Sequence, residues 1–398
     1  MGLRASIALG AVQSIHVLVV EVPGWGATRM RVEAELARRG WTAARSPADA
    51  DVLLVCGVPG KKLESVCARI WSQLPGPRAR VAVHNASDVA SGLEKAAAEL
   101  LDEGRQQGDA RTRSHQPVEA SDEIEHVGHG GSEESAEHSK PMDMDMDAEM
   151  DMSMDMDMPM PGGIPLASGG PDRDGLEMDV LHVALGPVLP HWPAGLVVHC
   201  ALQGDVIVSA EPDVLPAALQ PNNDGPIGNN SRSAHDERRS TVARLSDAAV
   251  QVLALAGWSY AAGRARRIRD EVAAGTALVD VAADLDSLAR SVSRSWLLRW
   301  ALNGITVGDA FANTGEGAGR HEPETVRGRL IGWLDEARRI ARYNTEAYES
   351  PDNPELQRSL LDAIPQLLSG TDVATARLIV ASLAIQTAQI AQAREPRT

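Results

Sequence analysis

The unusual side-chain chemistry of this sequence lies in a tract rich in histidine, methionine and aspartate between residues 115 and 160. Methionine thioethers are soft ligands that suit Cu(I), and imidazole nitrogens accept several transition metals, nickel and copper among them. The Met-x-Met spacing also brings sulfur atoms together along an extended chain. The candidate ligands are His126, His129, His138, Met142, Met144, Met146, Met152, Met154, Met156 and Met158. A copper or nickel site is therefore one interpretation of the tract.

The composition of the same tract favours a second interpretation, a passive linker. Nine of the twelve methionines lie between Met142 and Met160, most of them next to aspartate, as in a low-complexity repeat. Between Glu119 and Asp157 there are 14 acidic residues and one lysine, which is −13 of the net charge of −17. Such a segment cannot bury enough apolar surface to offset its ordering entropy. The sequence thus predicts a disordered linker over 105–178, between domains at 1–104 and 179–398.

Charge and cysteine usage exclude several functional classes. Outside the acidic tract the chain is close to neutral, without the basic excess that non-specific nucleic-acid binding needs. Cys56, Cys67 and Cys200 are isolated, which indicates a reducing compartment and cannot supply four thiolates to an iron–sulfur cluster. The chain has no apolar stretch of about 18 residues, so we expect no transmembrane helix of its own.

The first domain has the pattern of an α/β fold. Short apolar, β-branched runs over 16–22, 51–56 and 80–84 predict buried parallel strands. Between and after them, helical spacing covers 29–39, 62–74 and 87–104, the last with Ser87 as its cap. Three alternations of strand and helix predict a parallel sheet covered by helices.

The pattern of the second domain predicts a small antiparallel β element followed by roughly five helices. Alternating strands begin at Asp179, with a tight turn at 203–205, and a loop follows over 219–240. Two helical stripes are then predicted, one of Leu245, Ala249, Val252, Ala256 and Tyr260, and one of Leu285, Leu288, Val292, Trp296 and Trp300. Further helices are expected over 326–343, 356–368 and 373–392.

Each of three motifs allows both a functional interpretation, as a binding site, and a purely structural one. Gly24-Trp25-Gly26 follows a strand as in a dinucleotide site but has Arg29 in place of the third glycine, which favours a tight turn. The segment 57–62, GVPGKK, ends like a phosphate loop, yet its spacing favours a turn over a weak anion site at the helix start. The arginines of 264–269 indicate a solvated helix face or, alternatively, a surface for an acidic partner.

Residues 15–90 resemble the small, terminal-cluster subunit of complex I and of the related [NiFe]-hydrogenases. VEVPGWGATRM over 20–30 is similar to the strand and PGCGAC-type turn of that family, and SPADADVLLVCG over 46–57 is similar to its SPRQADVLIVAG strand. The resemblance implies a flavodoxin-like α/β fold. It places the cluster-binding cysteines at Trp25 and Thr28, and a third near residues 85–86, where thiolate ligands are lost.

Residues 179–335 resemble the large, quinone-site subunit of complex I and the hydrogenase large subunit. Gly186-Pro187 and the 203–206 turn are similar to the family's GPQHPSTHG and LDGE segments, and 295–305 (SWLLRWALNGI) is similar to its helix before an RTxGVG turn. Leu189 and Ala194 stand at the family's histidine positions, and His191 is one place out of register. The nickel-binding cysteine pairs are also replaced. The resemblance implies an α+β, mostly helical fold like the hydrogenase large subunit.

Together, the two resemblances imply a fused, cofactor-poor accessory subunit of a complex I-like or hydrogenase-like membrane-bound assembly. We predict no catalytic residues, no resident cofactor and no independent enzyme activity. Two alternatives remain, a copper- or nickel-handling protein that uses the tract, and an NADH-quinone oxidoreductase-type subunit that still supports electron transfer. The family implies partners among the subunits of that assembly and a cytoplasmic location, with peripheral attachment to the cytoplasmic face of the membrane as a further expectation.

Overall fold

A parallel four-stranded sheet organises the first half of the chain. The computed structural model describes residues 15–115, 168–171, 177–218, 233–308, 325–343, 345 and 353–392. The elements of the first half are β1 (His16–Glu21), α1 (Gly26–Arg39), β2 (Thr42–Ala43), β3 (Val52–Cys56), α2 (Lys61–Gln73), β4 (Ala79–Val83), α3 (Val89–Leu101) and α4 (Glu103–His115). The strand order is β2-β1-β3-β4, all parallel. The central strand β3 is buried at every position, as its unbroken apolar sequence predicts.

Helix α4 extends the first half beyond residue 104, where the sequence analysis placed its end. The reason is a polar contact that apolar periodicity does not register. The Arg78 guanidinium is buried and pairs with Asp109 at 2.9 Å (Nη2–Oδ1), and its backbone N–H donates to Gln106 Oε1 at 2.9 Å. The predicted cap Ser87 lies instead in a short turn before α3 and donates to Asp88.

An antiparallel sheet opens the second half. Its strands are β5 (Ser168–Pro171), β6 (Glu177–Leu185), β7 (Leu196–Gln203) and β8 (Val206–Val214), in the order β5-β6-β7-β8. Gln203 pairs with Val206, and Gly204 has a φ of 62°, so the predicted tight turn is confirmed. Strand β5 falls within the range predicted as linker.

Helices make up most of the described remainder. They are α5 (Ala234–Leu255), α6 (Ser259–Ala274), α7 (Leu278–Arg294), α8 (Trp296–Ala301), α9 (Val326–Tyr343), α10 (Pro354–Leu368), α11 (Val373–Leu383) and α12 (Thr387–Gln392). The chain therefore has an N-terminal parallel α/β region and a mostly helical C-terminal region, as predicted at this coarse level. The described helices outnumber the roughly five expected because three predicted segments are broken.

Each break interrupts a helix that periodicity alone would continue. Helix α5 ends before Gly257, whose φ is 78°. Tyr260 therefore does not lie on the predicted apolar face of that helix, and it is 72% exposed. Ser295 is extended, and its Oγ accepts a hydrogen bond from the Leu298 N–H, which ends α7 and caps α8. The segment predicted as one helix over 373–392 divides at Ala384, where φ is 50°.

Two apolar cores form, and they meet between the halves. One core lies around the parallel sheet, and the other lies between the antiparallel sheet and the helices. Val197 and Leu215 belong by sequence to the second half, yet they pack in the core of the first. None of the helices in the described ranges is long and apolar enough to cross a membrane.

Candidate functional site

Trp25 fills the carboxyl edge of the parallel sheet. In open α/β sheets, ligands bind outside this edge. Here the indole is 3% exposed, and its Nε1 donates to the carbonyl of His84 at 3.2 Å. The ring packs on Gly57, where an added Cβ would lie 2.3 Å from Trp25 Cδ2. The 24–26 segment is thus a tight turn closed by its own side chain rather than a dinucleotide cradle.

The thiolates that an iron–sulfur cluster needs do not fit this edge. Trp25 and Thr28, the positions at which the resemblance places ligands, are both buried and carry no thiol. Cys56 and Cys67 are also buried, and burial raises the pKa of both thiols, that of Cys67 to about 11. Those thiols are therefore held in the protonated form in the folded chain.

The second half closes the same edge by backbone pairing. Pro59 and Ala217 form an isolated antiparallel bridge, and the Ala218 N–H donates to the Val58 carbonyl at 3.0 Å. The Gly60 N–H, at the start of α2, donates to the Pro216 carbonyl at 3.2 Å. This donor of the proposed anion site is therefore already used. The 57–62 segment is therefore a turn that contacts the second half, in agreement with the interpretation that its spacing favoured.

A buried set of ion pairs joins the two halves. Arg29 in α1 contacts three carboxylates, with Nε 2.5 Å from Glu21, Nη1 2.6 Å from Glu33 and Nη2 2.5 Å from Asp247. Glu21 and Glu33 belong to the first half, and Asp247 lies in α5 of the second. One guanidinium thus spans the domain boundary, with each of its nitrogens paired.

Arg269 in α6 completes a ring with Arg29. The Arg269 side chain is 0% exposed, and its Nη1 lies 2.7 Å from both Glu33 Oε2 and Asp247 Oδ1. Glu33 and Asp247 therefore each bridge the two guanidinium groups. We call Arg29, Glu33, Asp247 and Arg269 the ion-pair ring, in which each half supplies one arginine and one carboxylate. Buried charge is tolerated only when it is paired in this way.

The carboxyl groups inside the ion-pair ring and the carboxyl groups beside it have pKa values shifted in opposite directions. Burial raises the pKa of Glu33, but Arg29 and Arg269 outweigh it and lower that pKa to about 2. The same balance lowers the pKa of Asp247. Glu21 and Asp270 flank the ring, and for these two carboxyls burial outweighs the nearby arginine and raises the pKa. The ring carboxylates are therefore held ionised, and the flanking pair takes up protons first.

His191 lies beside the ring in a strained conformation. Its φ of 60° is uncommon for a residue other than glycine and costs about 1 kcal/mol. Burial lowers the pKa of His191 to about 4. The nearby Glu33 carboxylate acts in the opposite direction but by less, so the imidazole is neutral at neutral pH. Its loop is tied to the helices by Arg377, whose Nη2 donates to the Pro190 carbonyl at 2.7 Å. Within the described ranges, the imidazole nitrogens of His191 have no hydrogen-bond partner.

The structure corrects the interpretation of the 264–269 arginines as a solvated face at Arg269, whereas Arg267 is exposed as that interpretation expects. Arg269 is buried, and Arg266 lies 3.9 Å from Glu33. The acidic surface that they meet is α1 of the same chain. A signal was present in the sequence, since Arg269 follows Ile268 and stands four residues after Ala265 on a helix whose other buried positions are mostly apolar. The partner residues carried no comparable signal.

The candidate metal ligands lie outside the described residues. These are His126, His129, His138, Met142, Met144, Met146, Met152, Met154, Met156 and Met158. In the part of the chain that is described, no cluster of three or more His, Cys, Asp or Glu side chains is arranged to hold a metal ion. The ring itself offers no nucleophile, and its carboxylates are committed to arginines. Its geometry serves to hold two domains together.

Comparison of this chain with protein-family profiles, curated protein sequences and solved structures finds no match. The resemblance to complex I and hydrogenase subunits therefore rests on the matched segments alone, chiefly 20–30, 46–57 and 295–305. Function has to be argued from the filled sheet edge and the ion-pair ring.

Proposed function

We propose that this chain is a non-catalytic accessory subunit of a complex I-like or hydrogenase-like oxidoreductase assembly. In this proposal a flavodoxin-like small-subunit domain is fused to a domain with the fold of the hydrogenase large subunit, and the pair adds a rigid protein surface to the assembly. The observation that carries the proposal is Trp25. An indole occupies the place where the resemblance puts a cluster-binding cysteine, and it seals that place against Gly57.

The contact between the halves supports the same role. In the family that the chain resembles, the small and large subunits bind each other. In this chain the corresponding halves share a core through Val197 and Leu215, a backbone bridge at Pro59, and the ion-pair ring. A fused pair that keeps its mutual interface while its cofactor edge is filled is suited to a structural or assembly task.

Co-purification from the native host tests this proposal. The chain is tagged at its own locus, membranes are solubilised gently, and the co-purifying proteins are identified and quantified. The proposal expects complex I-type or hydrogenase-type subunits in stoichiometric amounts. Arg269→Met weakens the contact between the halves and should reduce the yield of those subunits per amount of tagged chain recovered, whereas the control Arg80→Met should leave that ratio unchanged. Recovery of the chain alone would overturn the accessory role.

A metal-handling role is the second candidate, favoured by the composition of the His/Met tract. It predicts stoichiometric Cu(I) or Ni(II) binding by the purified full chain, measured by metal analysis after dialysis. Deletion of 120–160 should abolish the binding and leave the unfolding of the folded halves unchanged. A matched variant that replaces each Met of 142–160 by Leu separates thioether ligation from imidazole ligation. Equal metal content in all three proteins would reject this role.

A further inference from the structure

One end of the helical region carries exposed aromatic and basic side chains together. Trp296 is 77% exposed, Trp300 72% and Leu297 57%, all on the short helix α8. Arg290 and Arg294, near the end of α7, and Arg299, in α8, are exposed as well. None of these three arginines forms an ion pair with any residue in the described ranges. Large apolar side chains left this exposed indicate a binding surface.

Neighbouring helices extend the surface. Arg264 in α6 donates to the Ser291 hydroxyl in α7 at 3.5 Å, so the start of α6 lies against the end of α7. Tyr260, one turn before Arg264, is 72% exposed and therefore stands at this same end. We call Tyr260, Arg290, Arg294, Trp296, Leu297, Arg299 and Trp300 the Trp/Arg surface.

The charge of this surface is opposite to that of the whole chain. The net charge is −17, yet the segments 248–269 and 287–308 contain no aspartate or glutamate. All of their formal charge comes from arginine. A surface with indole rings, a leucine and exposed guanidinium groups matches the interface of an anionic bilayer, where Trp and Tyr sit at the headgroup level and Arg is attracted to lipid phosphates.

A contact between two copies of the chain fits the surface less well. A symmetric contact would bring the arginines of both copies together. Like charges at that spacing oppose association.

We propose that the Trp/Arg surface binds an anionic lipid surface and holds the chain peripherally on a membrane. The indoles and Leu297 would enter the headgroup region, and the arginines would pair with phosphates around them. This inference does not depend on the accessory role, because it concerns the chain and the lipid alone.

Vesicle flotation of the purified full chain tests the proposal. One set of vesicles contains phosphatidylcholine only, and the other contains one third phosphatidylglycerol. We expect at least 10-fold more chain on the anionic vesicles at low salt, a blue shift of tryptophan emission, and loss of most binding at 1 M salt, where the screening length falls to about 3 Å. The same result is expected for Val279→Ser, a control that removes a side chain 68% exposed at the opposite end of α7.

Two variants then decide whether this surface is responsible. Trp296→Ser with Trp300→Ser should reduce vesicle binding at least 10-fold without altering the urea unfolding curve, since both side chains are exposed. Replacement of Arg290, Arg294 and Arg299 by Gln should remove the preference for anionic vesicles. The proposal is overturned if the wild-type chain stays off anionic vesicles, or if the tryptophan variant binds like wild type. It is likewise overturned if the chain dimerises through these tryptophans in sedimentation without binding vesicles.

Discussion

Arg29 Nη2 and Asp247 Oδ2 lie 2.5 Å apart, although 218 residues separate them in the chain. This ion pair crosses the boundary between the parallel sheet domain and the helical domain. Through Glu33 and Arg269 it is one side of a closed ring with two charges of each sign. Among the described residues, the ring contains the shortest ion pairs between the halves, and its members are therefore the sites to mutate.

Replacement of Arg269 by Met should destabilise the chain strongly. The variant leaves Glu33 and Asp247 with one guanidinium instead of two in a buried setting, and breaking such a pair costs about 3–5 kcal/mol. The measurement is the free energy of unfolding from urea titration. Arg80→Met is the matched control, because Arg80 makes a partly exposed pair with Glu64 at 2.7 Å, and its replacement should cost no more than about 1 kcal/mol. Equal effects of the two variants would contradict the role given to the ring.

The pH dependence of stability should carry a contribution from His191. Its pKa is lowered from 6.5 to about 4 by burial, so between these pH values the unfolded chain binds a proton that the folded chain does not. Stability must therefore decrease as the pH falls from about 6.5 to about 4, by at most about 3 kcal/mol. The depressed pKa of Glu33 acts in a lower window, since its stabilisation is lost as the pH falls from about 4.5 to about 2.

His191→Asn isolates this contribution. Asparagine tolerates a positive φ and does not titrate, so the variant should match wild type at pH 7 within about 1 kcal/mol. The difference in unfolding free energy between the two proteins should then grow in favour of the variant as the pH falls to about 4. Taking the difference cancels the opposing effect of Glu21 and Asp270, whose pKa values are raised. Parallel pH profiles for the two proteins would show that His191 does not titrate as inferred.

Trp25→Ala should open a cavity at the sheet edge. The indole is almost fully buried and holds the His84 carbonyl, so we expect a loss of about 3–5 kcal/mol in unfolding free energy. Trp296→Ala provides the control, since that side chain is 77% exposed and its loss should change stability by less than about 0.5 kcal/mol. A small effect at Trp25 would mean that the edge is not sealed by the indole.

Gly57→Ala tests the close approach of Trp25 from the other side. The new Cβ would lie 2.3 Å from the indole, and the φ of 106° is itself unfavourable for alanine. We expect the variant to be expressed poorly or to lose several kcal/mol. Gly40→Ala is the matched control, because Gly40 also has a positive φ, 73°, but no atom within 4 Å of an added Cβ, so only about 1 kcal/mol of backbone strain applies. Thermal unfolding of both variants side by side separates strain from contact.

Local patterns in the sequence determined the first half well. The strands β1, β3 and β4 and the helices between them were predicted from apolar runs and breaker residues, because a buried parallel strand and an amphipathic helix each leave a periodic signature in a short window. The hairpin turn at Gly204 was predicted from the Gln-Gly-Asp sequence between two alternating strands. The end of α7 at Ser295 was not predicted. Trp296 and Trp300 continue the apolar spacing of Val292 along the sequence, although the helix is interrupted between them.

Tertiary structure decided the partners of Arg269 and the pairing of Arg29 with Asp247. The 264–269 arginines were interpreted as a solvated face, because a charged side chain on a helix is normally solvated, although the apolar neighbours of Arg269 gave a contrary signal. The pairing of Arg29 and Arg269 depends on the docking of α6 against α1, two helices more than 200 residues apart, which places a carboxylate at every guanidinium. Periodicity reports which face of a helix is apolar, but only packing between domains determines which charges find a partner away from water.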